Sequence, residues 1–161
     1  MVENHWQEGI AGLPIAQSSV IIIGEALSAN THLSNNKNGV YTEFSVRINE
    51  ILKSDNPALI PNSILSVDRP GGFVRYPDGH KLLYRIFGLN MLRVNKHYLL
   101  FLDNTEQSPN YQVLTGYEMT ANGISPIDVA PQFDAYKGMD GISFAQTVRD
   151  AIKQNSQTSS Q

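Results

Sequence analysis

The segment 40–52 is the feature that most restricts how this chain can fold. Apolar and polar residues alternate along its first part, which is the period of a β-strand with one buried face. The alternation breaks where Ile51 and Leu52 follow one another, so we predict a β-bulge near Asn49 or Glu50. At roughly 3.3 Å per residue the segment spans about 40 Å. A strand of that length normally curls, and small barrels use such strands.

Shorter segments of strand-like composition surround this long one. Residues 20–27 are β-branched and include Gly24, which indicates a bend or a close crossing of two strands. Pro126 marks the last segment as an edge strand, because proline donates no backbone hydrogen bond. We expect loops at 30–39, 73–80 and 103–110, the second with a turn at Pro77-Asp78-Gly79. The strands are predicted at 20–27, 40–52, 63–68, 81–87, 97–102, 111–117 and 123–127.

The C-terminal part changes from strand to helix periodicity. Within 143–153 the apolar residues Phe144, Val148, Ala151 and Ile152 share one helical face, and Ser143 with Gln146 fits a capping box. The chain is therefore predicted to be mainly β, a small antiparallel OB-like β-barrel of six or seven strands with a C-terminal α-helix. We expect an N-terminal extension at 1–17, forming a short helix or a lid, a single domain at 18–154 and a disordered tail at 155–161.

Composition limits the classes of partner. The net charge is −3 and no Lys/Arg block occurs, which argues against nucleic-acid binding. The absence of cysteine excludes disulfides, thiolate nucleophiles and cysteine-ligated zinc. No apolar run is long enough for a transmembrane segment. The first residues lack the basic and apolar regions of a signal peptide, so an exported form would have lost its leader.

Several of these segments share motifs with one group of proteins. Residues 19–26, then 40–46 running into Glu50-Ile51-Leu52-Lys53, then Gly71-Gly72 and the strand 98–102, resemble uncharacterised bacterial exported domains. Those domains are similar in layout to the netrin-like barrel of tissue inhibitors of metalloproteinases. The resemblance covers about residues 18–130 and implies a barrel fold and an extracytoplasmic location.

The chain departs from that group at two motifs. Ser54 stands where the group has a glycine after Leu-Lys, and Asn95-Lys96-His97 replaces the glycine before the Tyr-Leu-Leu strand. The metalloproteinase inhibitors also chelate zinc through an N-terminal cysteine, which this chain lacks. The resemblance therefore implies no activity.

The segment 69–76 is the strongest candidate for a binding site. Arg69 and Arg75 can clamp an anionic group, and Phe73 or Tyr76 can stack on a ring. The alternative is a tight turn in which Gly71 and Gly72 supply positive φ, and this is the interpretation that we favour.

Other reactive side chains form no recognisable motif. His5, His32, His80 and His97 lack metal-ligand spacing, so we predict no metal or other cofactor. Ser143 is better explained as a helix cap than as a nucleophile. Five acidic residues, Glu43, Glu50, Asp68, Asp78 and Asp103, would have to meet across strands to act in pairs, and Glu43 can contact Arg47. Five tyrosines form either a stacking platform or cross-strand pairs: Tyr41, Tyr84, Tyr98, Tyr111 and Tyr117.

Three functions remain open. The one we favour is a non-enzymatic, exported accessory domain that binds another protein. The second is a barrel that binds a sugar or other small molecule, which requires a deep pocket rather than a filled interior. The third is a hydrolase, which requires a histidine or carboxylate pair in a cleft.

Overall fold

The computed structural model describes residues 13–33, 40–75, 78–79, 81–84, 90–105 and 108–159, with backbone alone at 73–75, 81–84, 105, 108 and 157–159. Its elements, in chain order, are β1 (Val20–Leu33), β2 (Val40–Ser54), β3 (Ile64–Pro70), β4 (Gly72–Arg75), β5 (Lys81–Tyr84), β6 (His97–Thr105), β7 (Ser108–Thr120), β8 (Gly123–Pro126), α1 (Pro131–Asp134) and α2 (Gly141–Ser159).

The long strand and its bulge are confirmed. β2 runs antiparallel to β1, and Asn49 has no counterpart there, because Ile23 pairs with Glu50 while Gly24 pairs with Ile48. A Cβ on Gly24 would lie 2.6 Å from a methyl carbon of Val46. The bulge therefore coincides with the close crossing that the glycine indicated.

A second bulge explains why two neighbouring residues of β2 are both apolar. Leu52 is unpaired, because Ile21 pairs with Lys53 and Ile22 with Ile51. Ile51 packs against one hydrophobic cluster and Leu52 against the other. The phase break in the sequence thus supplies apolar side chains to both faces of the sheet.

The main sheet closes into a barrel. Its strand order is β3-β2-β1-β6-β7-β8, and a parallel pairing between β3 and β7 joins the ends of a five-stranded ring. The closing pairs are Val67 with Tyr111 and Asp68 with Gln112. β8 lies outside this ring and pairs with β7, as expected of an edge strand. The predicted small β-barrel is confirmed.

All three predicted loops contain strand residues, beginning with 30–33, which extends β1 to Leu33. Backbone at 72–75 pairs with 81–84 to form a separate two-stranded sheet, with Asp78 and Gly79 in the connecting turn. Pro77 lies outside the described residues. Most of 103–110 extends β6 and β7, which pair as far as Thr105 and Ser108. Apolar periodicity gave no signal for the last two, because β4 has only four residues and 103–110 is almost entirely polar.

The barrel has a packed interior and a packed outer face. On β6, Tyr98, Leu100 and Leu102 point into the ring, while Leu99 and Phe101 point outward. Side chains from all five ring strands fill the interior, and Leu92 and Ile127 join them. The outer cluster lies beneath α2 and includes Leu13, Ile15, Ile21, Tyr117, Ile124, Phe133, Phe144, Ala145, Val148 and Ala151.

Helix α2 is longer than predicted and has a different cap. It continues to Ser159, so 155–159, which we expected to be disordered, is helical. The Oδ2 atom of Asp140 accepts a hydrogen bond from the Ser143 N–H at 2.9 Å. Asp140 is therefore the N-cap, and Ser143 lies in the first turn. Gln146 donates to Asp150 instead of completing a capping box.

This cap should make stability depend on pH. Hydrogen bonds from Ser143 hold the pKa of Asp140 below its ordinary value. The stabilisation by the charged cap is present above the unfolded-state pKa and is lost as the pH falls through the lower folded-state pKa. An Asp140→Asn variant keeps a side-chain oxygen but no charge, so it should be less stable than wild type near neutral pH. Thermal melts from about pH 7 to about pH 3 should show this gap closing. A gap unchanged across that range would contradict the assignment.

Candidate functional site

Arg69 lies inside the barrel, not on the surface. Its side chain is 1% exposed, and its Nη2 atom pairs with the Asp128 carboxylate. The other oxygen of Asp128 accepts a hydrogen bond from the Thr115 hydroxyl at 2.7 Å. Burial lowers the pKa of Arg69, and the contact with Asp128 opposes that shift. Within the described part of the chain, the Nε and Nη1 atoms of Arg69 find no acceptor.

Gly71 joins β3 to β4, which begins at Gly72. The φ angles of Gly71 and Gly72 are 103° and 137°. The Gly71 N–H donates to the Val40 carbonyl. The Gly71 carbonyl accepts a hydrogen bond from the Thr42 hydroxyl at 2.9 Å. A Cβ on Gly72 would lie 2.4 Å from that hydroxyl oxygen. The positive φ and the close approach explain why glycine occupies both positions.

The structure does not assemble the predicted clamp. Arg69 is buried on an acid, so it presents no group to a ligand at the surface. Phe73 and Arg75 lie on β4, with only their backbone described, opposite Leu83 and Lys81. Tyr76 lies outside the described residues.

The predicted histidines and acids form isolated contacts. His32 approaches Glu43 at 3.8 Å, and His97 approaches Glu25 at 4.0 Å. Among the residues whose positions are described, no three His, Cys, Asp or Glu side chains group as a metal site. His5 and His80 are not among them.

Two of the predicted acids meet across strands, whereas the expected contact between Glu43 and Arg47 does not form. Glu43 and Asp68 face one another across β2 and β3, and the Asn110 amide donates to both, at 2.6 and 3.0 Å. Arg47 pairs with Glu25 at 3.7 Å, not with Glu43.

The tyrosines do not form an exposed platform. Tyr98, Tyr111 and Tyr117 are buried in the hydrophobic clusters. Tyr41 stacks on His32 with ring centroids 5.3 Å apart. The side chain of Tyr84 is not described. The buried tyrosines stabilise the sheet by packing, and they leave their ring faces covered.

A cavity that the sequence did not indicate lies beside the buried Tyr98 hydroxyl. We call it the polar cavity; its volume is about 420 Å³, and its lining is Asn90, Met91, Arg93, Tyr98, Glu118, Ser125, Pro126 and Ile127. These residues come from the connection before β6, from β6 and β7, and from β8 with the residue after it. No local sequence pattern joins them.

Its charged groups neutralise one another. The Arg93 guanidinium donates to both oxygens of Glu118, with Nη2 at 2.6 and 2.7 Å and Nε at 3.1 Å from Oε1. The Tyr98 hydroxyl accepts from the Arg93 N–H at 2.7 Å and donates to Glu118 at 3.3 Å. Burial raises the pKa of Tyr98, which keeps the phenol protonated as a donor.

A second cavity lies between α2 and the barrel. We call it the α2 groove; its volume is about 470 Å³, and its lining is Ile23, Glu50, Met119, Thr120, Gly141, Ile142, Ala145 and Arg149. Glu50 and Arg149 form an ion pair across it. Ile142 is 86% exposed, the highest exposure among the large apolar side chains of the described residues.

Comparisons with known proteins add no identification. No protein-family model matches the sequence, and no curated protein matches it convincingly. Neither helix in the described part of the chain combines the length and apolar character needed to cross a membrane.

Proposed function

We propose that this chain is a non-enzymatic, exported accessory domain that binds another protein, and that the α2 groove is its contact surface. The exposure of Ile142 at the groove is the observation that carries the proposal. Exposed apolar surface beside a cavity is typical of protein interaction sites. The proposal that the protein is exported is supported by the sequence resemblance alone.

The packing of the barrel favours this function over a ligand held inside it. Side chains of all five ring strands meet in the interior, which is therefore filled as a hydrophobic core. A filled interior favours recognition of a partner at the outer surface. The hydrolase alternative has less support among the described residues. Neither histidine contact is within hydrogen-bond distance, and neither those histidines nor the facing acids Glu43 and Asp68 line the polar cavity or the α2 groove.

The groove indicates the chemistry of the partner. Ile23, Met119 and Ala145 form an apolar floor, while Glu50 and Arg149 place one charge of each sign on it. The matching partner segment is amphipathic, with one large apolar side chain entering the groove and polar groups beside it. Covering Ile142 fully would contribute about 1.5–3 kcal/mol to binding.

Replacing Ile142 with aspartate should weaken this binding. A library of random peptides displayed on phage is panned against the wild-type chain, and the selected peptides are titrated by fluorescence polarisation. We expect Ile142→Asp to weaken them about tenfold or more, since 1.4 kcal/mol corresponds to a factor of ten. The matched control is Ile64→Asp, because Ile64 is 61% exposed and does not line the groove. Equal loss in both variants, or failure to select any peptide, would contradict the proposal.

A further inference from the structure

We infer that the polar cavity is a second, independent site, which binds a small uncharged polyhydroxylated molecule of the monosaccharide class. Its volume of about 420 Å³ lies within the range of pockets that hold small ligands. The site shares no residue with the α2 groove, so the inference does not depend on the proposed function.

The charge balance selects an uncharged ligand. Arg93 and Glu118 are the charged residues of the lining, and the guanidinium contacts both carboxylate oxygens. An anion would have to compete with Glu118 for Arg93, and a cation would have to compete with Arg93 for Glu118. Either would have to break the bidentate contact between Arg93 and Glu118, which a neutral ligand leaves in place.

The remaining hydrogen-bonding capacity suits hydroxyl groups. Arg93 Nη1 and the Ser125 hydroxyl have donors without acceptors among the described residues. Glu118 Oε2 accepts one hydrogen bond, from Arg93. The Asn90 amide uses its nitrogen on the Ile127 carbonyl at 2.7 Å, which leaves its oxygen as an acceptor. Donors and acceptors therefore lie side by side, and a hydroxyl group can use both at once.

The apolar part of the lining suits a saturated ring. Met91, Pro126 and Ile127 supply aliphatic surface, which complements the C–H face of a sugar. Tyr98 is the aromatic residue of the lining, but it is 1% exposed and offers its hydroxyl rather than its ring face. A planar aromatic ligand would find no ring here to stack on.

The test is a titration followed by amide chemical shifts in two-dimensional NMR spectra of the full chain. The probes are the methyl glycosides of glucose, galactose and mannose, with glucuronate and inorganic phosphate as charged comparators. We expect at least one neutral glycoside to bind with a millimolar Kd and to shift the amides of 90–93, Glu118, Ser125 and Ile127. No response below about 50 mM, a response outside these residues, or tighter binding of glucuronate or phosphate would overturn the inference.

A variant that reverses the preference for neutral over anionic sugars distinguishes a specific site from nonspecific surface binding. Glu118→Gln releases Arg93 from its carboxylate, so the variant should bind the neutral glycoside about tenfold more weakly and bind glucuronate more tightly. Ser125→Ala, at an exposed position, should weaken the glycoside several-fold and keeps the test available if Glu118→Gln does not fold. Asp55→Asn, which removes an exposed carboxylate that does not line the cavity, should leave both affinities unchanged. Unaltered binding in the folded cavity variants would refute the assignment.

Discussion

Replacing Asp128 with alanine should lower the free energy of unfolding by about 3–5 kcal/mol, because it leaves a buried guanidinium without its counter-charge. Arg69 is 1% exposed and already has two nitrogen atoms that find no acceptor among the described residues. The Asp128 carboxylate is therefore the main counter-charge of the Arg69 guanidinium. The substitution would also remove the acceptor of the Thr115 hydroxyl.

The position of the pair explains why its loss should affect the whole barrel. Arg69 lies on β3, the strand whose parallel pairing with β7 closes the ring. Asp128 follows β8, and Thr115 lies on β7. The ion pair and the threonine hydrogen bond thus connect both strands of the closure to the chain that leads into the helices.

Urea denaturation of the variant, followed by far-UV circular dichroism, measures the effect. The double variant Arg69→Met with Asp128→Leu removes both charges, and apolar replacements of buried ion pairs are often neutral or stabilising. It should therefore recover most of the stability that Asp128→Ala loses. A single variant that loses less than about 1 kcal/mol would show that Arg69 is not held by Asp128.

The barrel strands were predictable where the signal is local. Alternation along 40–52 indicates which face of β2 is buried, and the adjacent apolar residues Ile51 and Leu52 indicate the bulges. Both signals come from residues that are neighbours in the sequence. Pro126 identified the edge strand for a similar reason. The closure of the ring has no such signal, because the parallel pair of Val67 and Tyr111 joins distant segments.

The environment of Arg69 shows why the candidate site was harder to predict. The diglycine correctly predicted positive φ, which is a local property of the backbone. The partner of Arg69 is 59 positions away, at Asp128, and nothing around Asp128 in the sequence distinguishes it from a surface acid. The cap of α2 was missed for a similar reason. The sequence indicated Ser143, and only the position at which the helix begins makes Asp140 the N-cap.

One signal of the α2 groove was present in the sequence. The apolar face of the predicted helix is set by Phe144, Val148 and Ala151, and Ile142 falls outside that spacing. An apolar residue off the buried face of a helix indicates exposed apolar surface, and the structure places it there. The polar cavity offered no equivalent, because its groups come from separate segments.

Replacing Phe144 with alanine should also lower the free energy of unfolding by about 3–5 kcal/mol, which is typical for a buried phenylalanine. Phe144 is fully buried, and its ring packs edge-on to Tyr117 at a centroid distance of 4.6 Å and lies 5.6 Å from Tyr136. Tyr117 in turn donates to the Phe133 carbonyl at 2.9 Å. Truncating Phe144 therefore opens a cavity where α2, α1 and β7 meet.

Ile142→Ala is the matched control, because Ile142 lies in the same turn of α2 but is exposed, and its truncation should change stability by no more than about 0.5 kcal/mol. Chemical denaturation of both variants compares them directly. If Phe144→Ala cost as little as Ile142→Ala, α2 would not be docked on the barrel. The α2 groove would then lose the wall that Gly141, Ile142, Ala145 and Arg149 provide, and the proposed protein-binding surface would be lost with it.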